Sequence, residues 1–91
     1  MESQLSPNRT LFIIGRHPSA GSLGLLPRSA TAATVSIVLV QDAVLATNVP
    51  APSVQVLAED LESRHGVSPY PQISYAALLQ MMFHAQRVIV L

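Results

Sequence analysis

Cysteine, the residue with the most reactive side chain in proteins, is missing from this sequence. The 91 residues include three histidines and five acidic residues but no cysteine. Without a thiolate the chain has no sulfur nucleophile, no disulfide and no Cys-bound metal. His17, His65 and His84 lie far apart in sequence and match no metal-binding spacing, so we expect separate histidines and no metal site.

Carboxylates follow two of the predicted strands. Asp42 comes shortly after the run VSIVLV, while Glu59 and Asp60 come directly after SVQVLA. Ligands of open α/β sheets bind beside the carboxyl ends of the strands, so Asp42 could orient a substrate or a partner's group. Glu59 and Asp60 could act as a general acid and base. Structural roles are the simpler alternatives: a helix cap for Asp42, and interaction with a helix dipole for the pair.

An anion could be held after the first strand. Arg16 and Arg28 flank the segment PSAGSLG, whose backbone amides could surround a phosphate. The segment lacks the GxGxxG spacing and has no P-loop lysine, so an ordinary loop is the favoured interpretation.

A further group of candidates lies on the last predicted helix, which begins after Ser74 as its N-cap. Tyr75 and Met82 are candidates for contact with a ligand or a partner. Methionine adapts to irregular surfaces, so Met81, Met82 and Phe83 could form a docking surface. Packing in the core explains Met81 or Met82 equally well.

The elements that position these residues alternate along the chain. A single turn capped by Asp42 is expected after the second strand, with no full helix before the third. A short helix from Glu59 to Arg64, closed by Gly66 in the left-handed conformation, follows the third strand, and a weak helix could begin at Ser22. This alternation predicts an α/β fold, a small flavodoxin-like and mainly parallel sheet of about four strands with flanking helices. The predicted strands are residues 10–16, 35–40, 53–58 and 87–91.

The composition favours a small cytoplasmic oligomer. Apolar residues make up 49% of the chain and charged residues 11%, against roughly 25% charged in an average domain. A single domain over residues 10–91, after a flexible leader at 1–9, would leave apolar surface for a subunit interface. Five arginines and five acids cancel, which argues against direct nucleic-acid binding. No apolar run approaches the roughly 20 residues of a membrane span, so no membrane contact is expected.

Four motifs in a fixed order carry a family resemblance. They are Arg-x-Pro at residues 16–18, Gln-Asp-Ala-Val at 41–44, VQVLAEDL at 54–61 and ISYAALLQMMFHAQRVIVL at 73–91. Over nearly the whole chain after residue 9, this pattern resembles the TusB/DsrH family of sulfur-relay subunits. The resemblance implies a DsrE/F-like α/β fold and assembly with DsrE- and DsrF-like (TusD- and TusC-like) subunits. Such complexes pass persulfide sulfur toward tRNA 2-thiouridine synthesis or serve dissimilatory sulfur oxidation.

Three features depart from the family pattern. Members with a cysteine carry it in the first helix, which aligns near Leu25 to Arg28, where this chain has none. Members usually have a helix between the second and third strands, where only LATNVPAP stands, so one face of the sheet is expected to be thinly covered. Their last strand often carries a tryptophan at its end, whereas this chain has Leu91. The resemblance therefore implies a non-catalytic subunit without a cofactor, which supports persulfide-carrying partners.

Two other functions stay open. The chain could be a stand-alone homo-oligomeric α/β module that binds a small anionic ligand near Arg16, Asp42 and Glu59. It could also be a divergent enzyme that uses Asp42 or the Glu59 and Asp60 pair, provided that a cleft surrounds one of these carboxylates.

Overall fold

Five parallel strands form the centre of the protein. The structure is a computed structural model that describes residues 9–16, 35–49, 51 and 53–91. The strands are β1 (Thr10–Ile14), β2 (Val35–Leu39), β3 (Val54–Leu57), β4 (Gln72–Ile73) and β5 (Arg87–Val90). Their order in the sheet is β4-β3-β2-β1-β5, and every neighbouring pair is parallel. The predicted α/β class with a parallel, flavodoxin-like sheet is confirmed, with five strands rather than about four.

Each face of the sheet has its own apolar cluster, because successive side chains of a strand point to opposite faces. On β1, Phe12 and Ile14 belong to the first cluster, while Leu11 and Ile13 belong to the second. All five residues of β2 are buried, as expected for a strand that is covered on both faces.

Short helical segments cover the first face. A 3-10 helix, Gln41–Leu45, follows β2, and helix α1, Ala58–Ser63, follows β3. Val44 of the 3-10 helix and Leu61 of α1 are both buried in the first cluster. Helix α1 is short and has Glu59 and Asp60 in its first turn, as predicted. It begins one residue earlier than expected, at Ala58.

The connection between β2 and β3 holds no full helix in its described residues, as predicted. The 3-10 helix is instead followed by an extended stretch in which Ala46 and Val49 are buried. The N–H of Val49 donates a hydrogen bond to the Tyr70 hydroxyl at 2.9 Å, which holds this stretch over the core. Ala46 and Val49, both small and apolar, thus cover the first cluster in this connection.

Helix α2, Tyr75–His84, packs on the second face. Ser74 is its N-cap as predicted, because its Oγ accepts a hydrogen bond from the Ala77 N–H at 3.1 Å. Leu78 is the one residue of α2 that is fully buried, and Met81 packs against the same cluster from a half-buried position. Only one side of α2 therefore contacts the sheet.

Two predicted caps are wrong. Asp42 lies inside the 3-10 helix, whose N-cap is Val40 and has no side-chain cap bond. After α1 the left-handed residue is His65, with φ of 51°, and Gly66 has no positive φ. A Cβ at position 66 would lie 2.6 Å from Leu45 Cδ2 and 3.0 Å from Leu61 Cδ1, so a larger residue there would require these leucine side chains to shift.

Several sequence predictions lie outside the described residues. They are the helix from Ser22, the loop between Arg16 and Arg28, and the region near Leu25 to Arg28 that aligns with the family's thiol-bearing helix. Residues 1–8 of the predicted leader are also outside, whereas Arg9 is described and donates a hydrogen bond from Nη1 to Ser36 Oγ. No helix within the described residues is long and apolar enough to cross a membrane.

Candidate functional site

The carboxyl edge of the sheet brings together most of the predicted polar candidates. Because all five strands are parallel, the residues that follow them meet at one edge. Asp42 follows β2, Glu59 and Asp60 follow β3, and Tyr75 follows β4. Arg16 follows β1 and is exposed. The prediction that Asp42, Glu59 and Asp60 share an edge is therefore consistent with the strand order.

Asp60 has a structural partner at this edge. Its Oδ2 accepts a hydrogen bond from the Gln41 backbone N–H at 2.7 Å. Gln41 has φ of 51°, a left-handed conformation that costs a residue other than glycine roughly 1 kcal/mol or more. The charge-assisted bond from Asp60 stabilises this turn, which directs the chain from β2 into the 3-10 helix. Gly15 leaves room for the turn, since a Cβ there would lie 3.2 Å from Gln41 Oε1.

Glu59 and Asp42 also have partners. Glu59 Oε2 accepts a hydrogen bond from the Tyr75 backbone N–H at 3.3 Å, which connects α1 to the start of α2. Asp42 Oδ1 accepts from Arg64 Nε at 3.1 Å, and the side chains of Asp42 and Arg64 are 76% and 29% exposed. Each predicted carboxylate therefore joins two elements of the fold.

A cleft of about 580 Å³ opens at the same edge, between the sheet and α2. Its floor is apolar, with Ile13, Leu57 and Leu78, and its polar rim includes Glu59 and Asp60. Arg16 and Arg64 are not among the lining residues. Among the described residues, the rim thus offers carboxylates rather than cations to a ligand, which is unfavourable for an anion.

Metal binding has no support in the described part of the chain. No group of three or more acidic or histidine side chains is placed there to hold an ion. His65, after α1, and His84, at the end of α2, are both exposed, and His17 lies outside the described residues.

The outer surface of α2 is apolar. Tyr75, Leu79 and Met82 are 55%, 39% and 39% exposed, and Phe83 is 86% exposed. The first three recur at the i, i+4 and i+7 spacing of one helix flank, and Phe83 lies beside them. We call these four residues the α2 apolar surface. Met82 therefore belongs to this surface, while Met81 packs against the core, so core packing accounts for Met81 and docking stays a prediction for Met82.

The two flanks of α2 lie beside different cavities. The flank with Gln80 and His84 lines a cavity of about 340 Å³ together with Leu11 of β1 and Ser36 of β2. Tyr75 of the α2 apolar surface lines the cleft at the carboxyl edge instead. Among the described residues, no second helix covers β5 on the face where α2 packs.

Sequence patterns alone indicate neither the partner of Arg64 nor the strand β4. Arg64 was expected only as a basic residue in the last turn of its helix, whereas it pairs with Asp42, 22 positions earlier. β4 is two residues long and too short for a periodic signal. Comparisons with protein-family models, with curated proteins and with solved structures gave no match for this chain.

Proposed function

We propose that this chain is a non-catalytic, TusB/DsrH-like subunit of a cytoplasmic sulfur-relay complex, in which it supports DsrE- and DsrF-like partners that carry the persulfide cysteine. The proposal rests on the motif order and on one structural observation, the α2 apolar surface. Four large apolar side chains are exposed on a helix without a single Asp, Glu, Lys or Arg. Exposed apolar surface with aromatic and methionine side chains and few charges is typical of the centre of a protein interface.

The polar candidates support a role without catalysis. Asp60, Glu59 and Asp42 each accept a hydrogen bond from another element, and two of the three donors are backbone N–H groups. Such bonds account for the acids as parts of the fold, and the cleft beside them offers no described cation to an anionic ligand. Docking is therefore better supported than anion binding or acid–base chemistry.

The chemistry of sulfur transfer assigns the reactive step to the partners. A persulfide passes its outer sulfur to an attacking thiolate, so every carrier in a relay needs a cysteine. This chain has none. Its contribution would be to hold two thiol-bearing subunits in the arrangement that lets one thiolate reach the other's persulfide.

Co-expression with DsrE- and DsrF-like proteins from the same genome tests the proposal. We expect one gel-filtration peak that contains all three chains. Phe83→Glu should remove this chain from the peak, because a charge on the α2 apolar surface would have to be desolvated on docking. Val67→Glu is the matched control, since Val67 is 87% exposed on a different segment, and it should leave the complex intact.

Two results would contradict the proposal in different ways. Separate elution of the wild-type chain from both partners would remove the sulfur-relay role. A complex that tolerates Phe83→Glu as well as Val67→Glu would keep the partners but place them on another surface. Anion binding would gain support instead if phosphate or nucleotides raised the melting temperature of the isolated chain.

A further inference from the structure

β5 is an edge strand with a regular row of outward backbone groups. Among the described residues, β1 is the only strand that pairs with it. The Arg87 N–H donates to the carbonyl of Arg9, just before β1, at 3.3 Å. The Leu91 N–H donates to the carbonyl of Ile13, in β1, at 2.8 Å. Alternate residues of a strand direct their backbone groups to opposite sides. The N–H and C=O groups of Val88 and Val90 therefore point away from β1.

The side chains of β5 leave the same edge apolar. Val88 and Val90 are in register with Leu11 and Ile13, so they lie on the face that α2 covers. They are nevertheless 37% and 70% exposed. Protected edge strands usually carry proline, lysine or an inward charge, and β5 has only Arg87 at its first position.

We infer that β5 forms an antiparallel pair with β5 of a second copy of this chain, about a two-fold axis that passes between the two copies of Ile89. In that register Val88 of each copy lies opposite Val90 of the other, and each such pair exchanges two hydrogen bonds. The pairing joins two sheets into one continuous sheet and buries the exposed valines against each other on the α2 face.

Charge and symmetry favour a second copy in this orientation. The chain has a formal net charge of zero, and Arg87 is its only charged residue from Ile73 onward, so two copies approach without net repulsion. Antiparallel pairing separates the two Arg87 residues by four positions along the strand, roughly 13 Å, whereas parallel pairing would place them side by side. An isologous contact also closes at two subunits.

This inference does not depend on the sulfur-relay role, because it concerns β5 rather than the α2 apolar surface and is tested on the isolated chain. The sharpest test is cross-linking of an Ile89→Cys variant. The wild-type chain has no cysteine, so a single introduced thiol is unambiguous. The proposed axis brings the two copies of this position to a Cα separation of roughly 4.5 Å, within the range of a disulfide.

Mild oxidation of Ile89→Cys should convert most of the protein to a covalent dimer on a non-reducing gel. Val67→Cys, exposed on another segment, should form little dimer under the same conditions. No dimer with Ile89→Cys, or equal dimer with both variants, would overturn the inferred pairing.

Sedimentation without cross-linking gives an independent test. The wild-type chain should sediment at twice its mass of 9.7 kDa. Val88→Pro should be a monomer with an unchanged circular dichroism spectrum, because the lost N–H points outward. If that variant does not fold, Val90→Lys serves in its place, because it puts a charge into the proposed contact between the two β5 strands and should also give a monomer. A monomeric wild type, or a folded variant that stays fully dimeric, would overturn the inference.

Discussion

The carboxylate side chains at the carboxyl edge of the sheet have partners within the fold, whereas large apolar side chains on α2 and β5 are exposed to solvent. At the carboxyl edge, Asp42, Glu59 and Asp60 are partly or largely exposed, yet each bonds to a group from another element. On α2 and β5, Phe83 and Val90 are 86% and 70% exposed and have apolar side chains that water solvates poorly. The carboxylates thus have hydrogen-bond partners within the described fold, whereas these apolar side chains are left exposed by it.

This difference changes where function should be sought. Clustered acids at the end of parallel strands are the pattern in which sequence analysis looks for a site. Here those acids stabilise turns and join elements, so their positions follow from folding. The apolar side chains have no such role within the described fold, which favours binding to another protein as their purpose.

The largest effect is expected where α2 is attached to the sheet. Leu78 is 4% exposed, whereas its neighbour Leu79 is 39% exposed on the α2 apolar surface. Leu78→Ala should lower the free energy of unfolding by roughly 2–5 kcal/mol through lost burial and a cavity. Leu79→Ala should lower it by less than about 1 kcal/mol. Urea denaturation followed by circular dichroism compares the two, and equal losses would mean that α2 does not dock through Leu78.

An intermediate effect is expected at Asp60. Asp60→Ala removes the acceptor for the Gln41 N–H and should lower the free energy of unfolding by about 1–2 kcal/mol. Asp60→Asn keeps an amide oxygen in the same place and should recover much of this loss. Thermal denaturation of the three proteins measures the difference. A fully stable Asp60→Ala protein would contradict the structural role and restore interest in Asp60 as a ligand-binding group.

The smallest effect is expected at the ion pair of Asp42 and Arg64. Asp42 is 76% exposed, so Asp42→Ala should change the free energy of unfolding by about 0–1 kcal/mol, and less in concentrated salt. Arg64→Ala should cost more, because Arg64 also donates to the Asp60 carbonyl at 3.3 Å. Urea midpoints at low and high salt, combined in a double-mutant cycle, isolate the pair. A coupling that salt does not weaken would show that the pair is shielded from solvent.

Local patterns in the sequence predict much of the fold. The β-branched run VSIVLV predicts a central strand, and β2 is the middle strand of the sheet, with all five of its residues buried. Ser74 predicts the start of α2, since a cap needs only residues three positions apart. The predictions at Asp42 and Gly66 are wrong because a cap depends on backbone angles: the left-handed residues are Gln41, whose N–H is held by Asp60 of another element, and His65.

The sequence by itself determined the α/β class, the four main strands, the start of α2 and the absence of any thiol chemistry. Burial and hydrogen bonding between elements were decided by the tertiary structure, because they depend on which strands become neighbours. The order of strands put β5 at an edge and left Val88 and Val90 exposed, and the packing of α2 on the sheet turned Met82 outward while Met81 packs inward. Strand order places residues side by side that are distant in sequence, and no local pattern of residues contains that information.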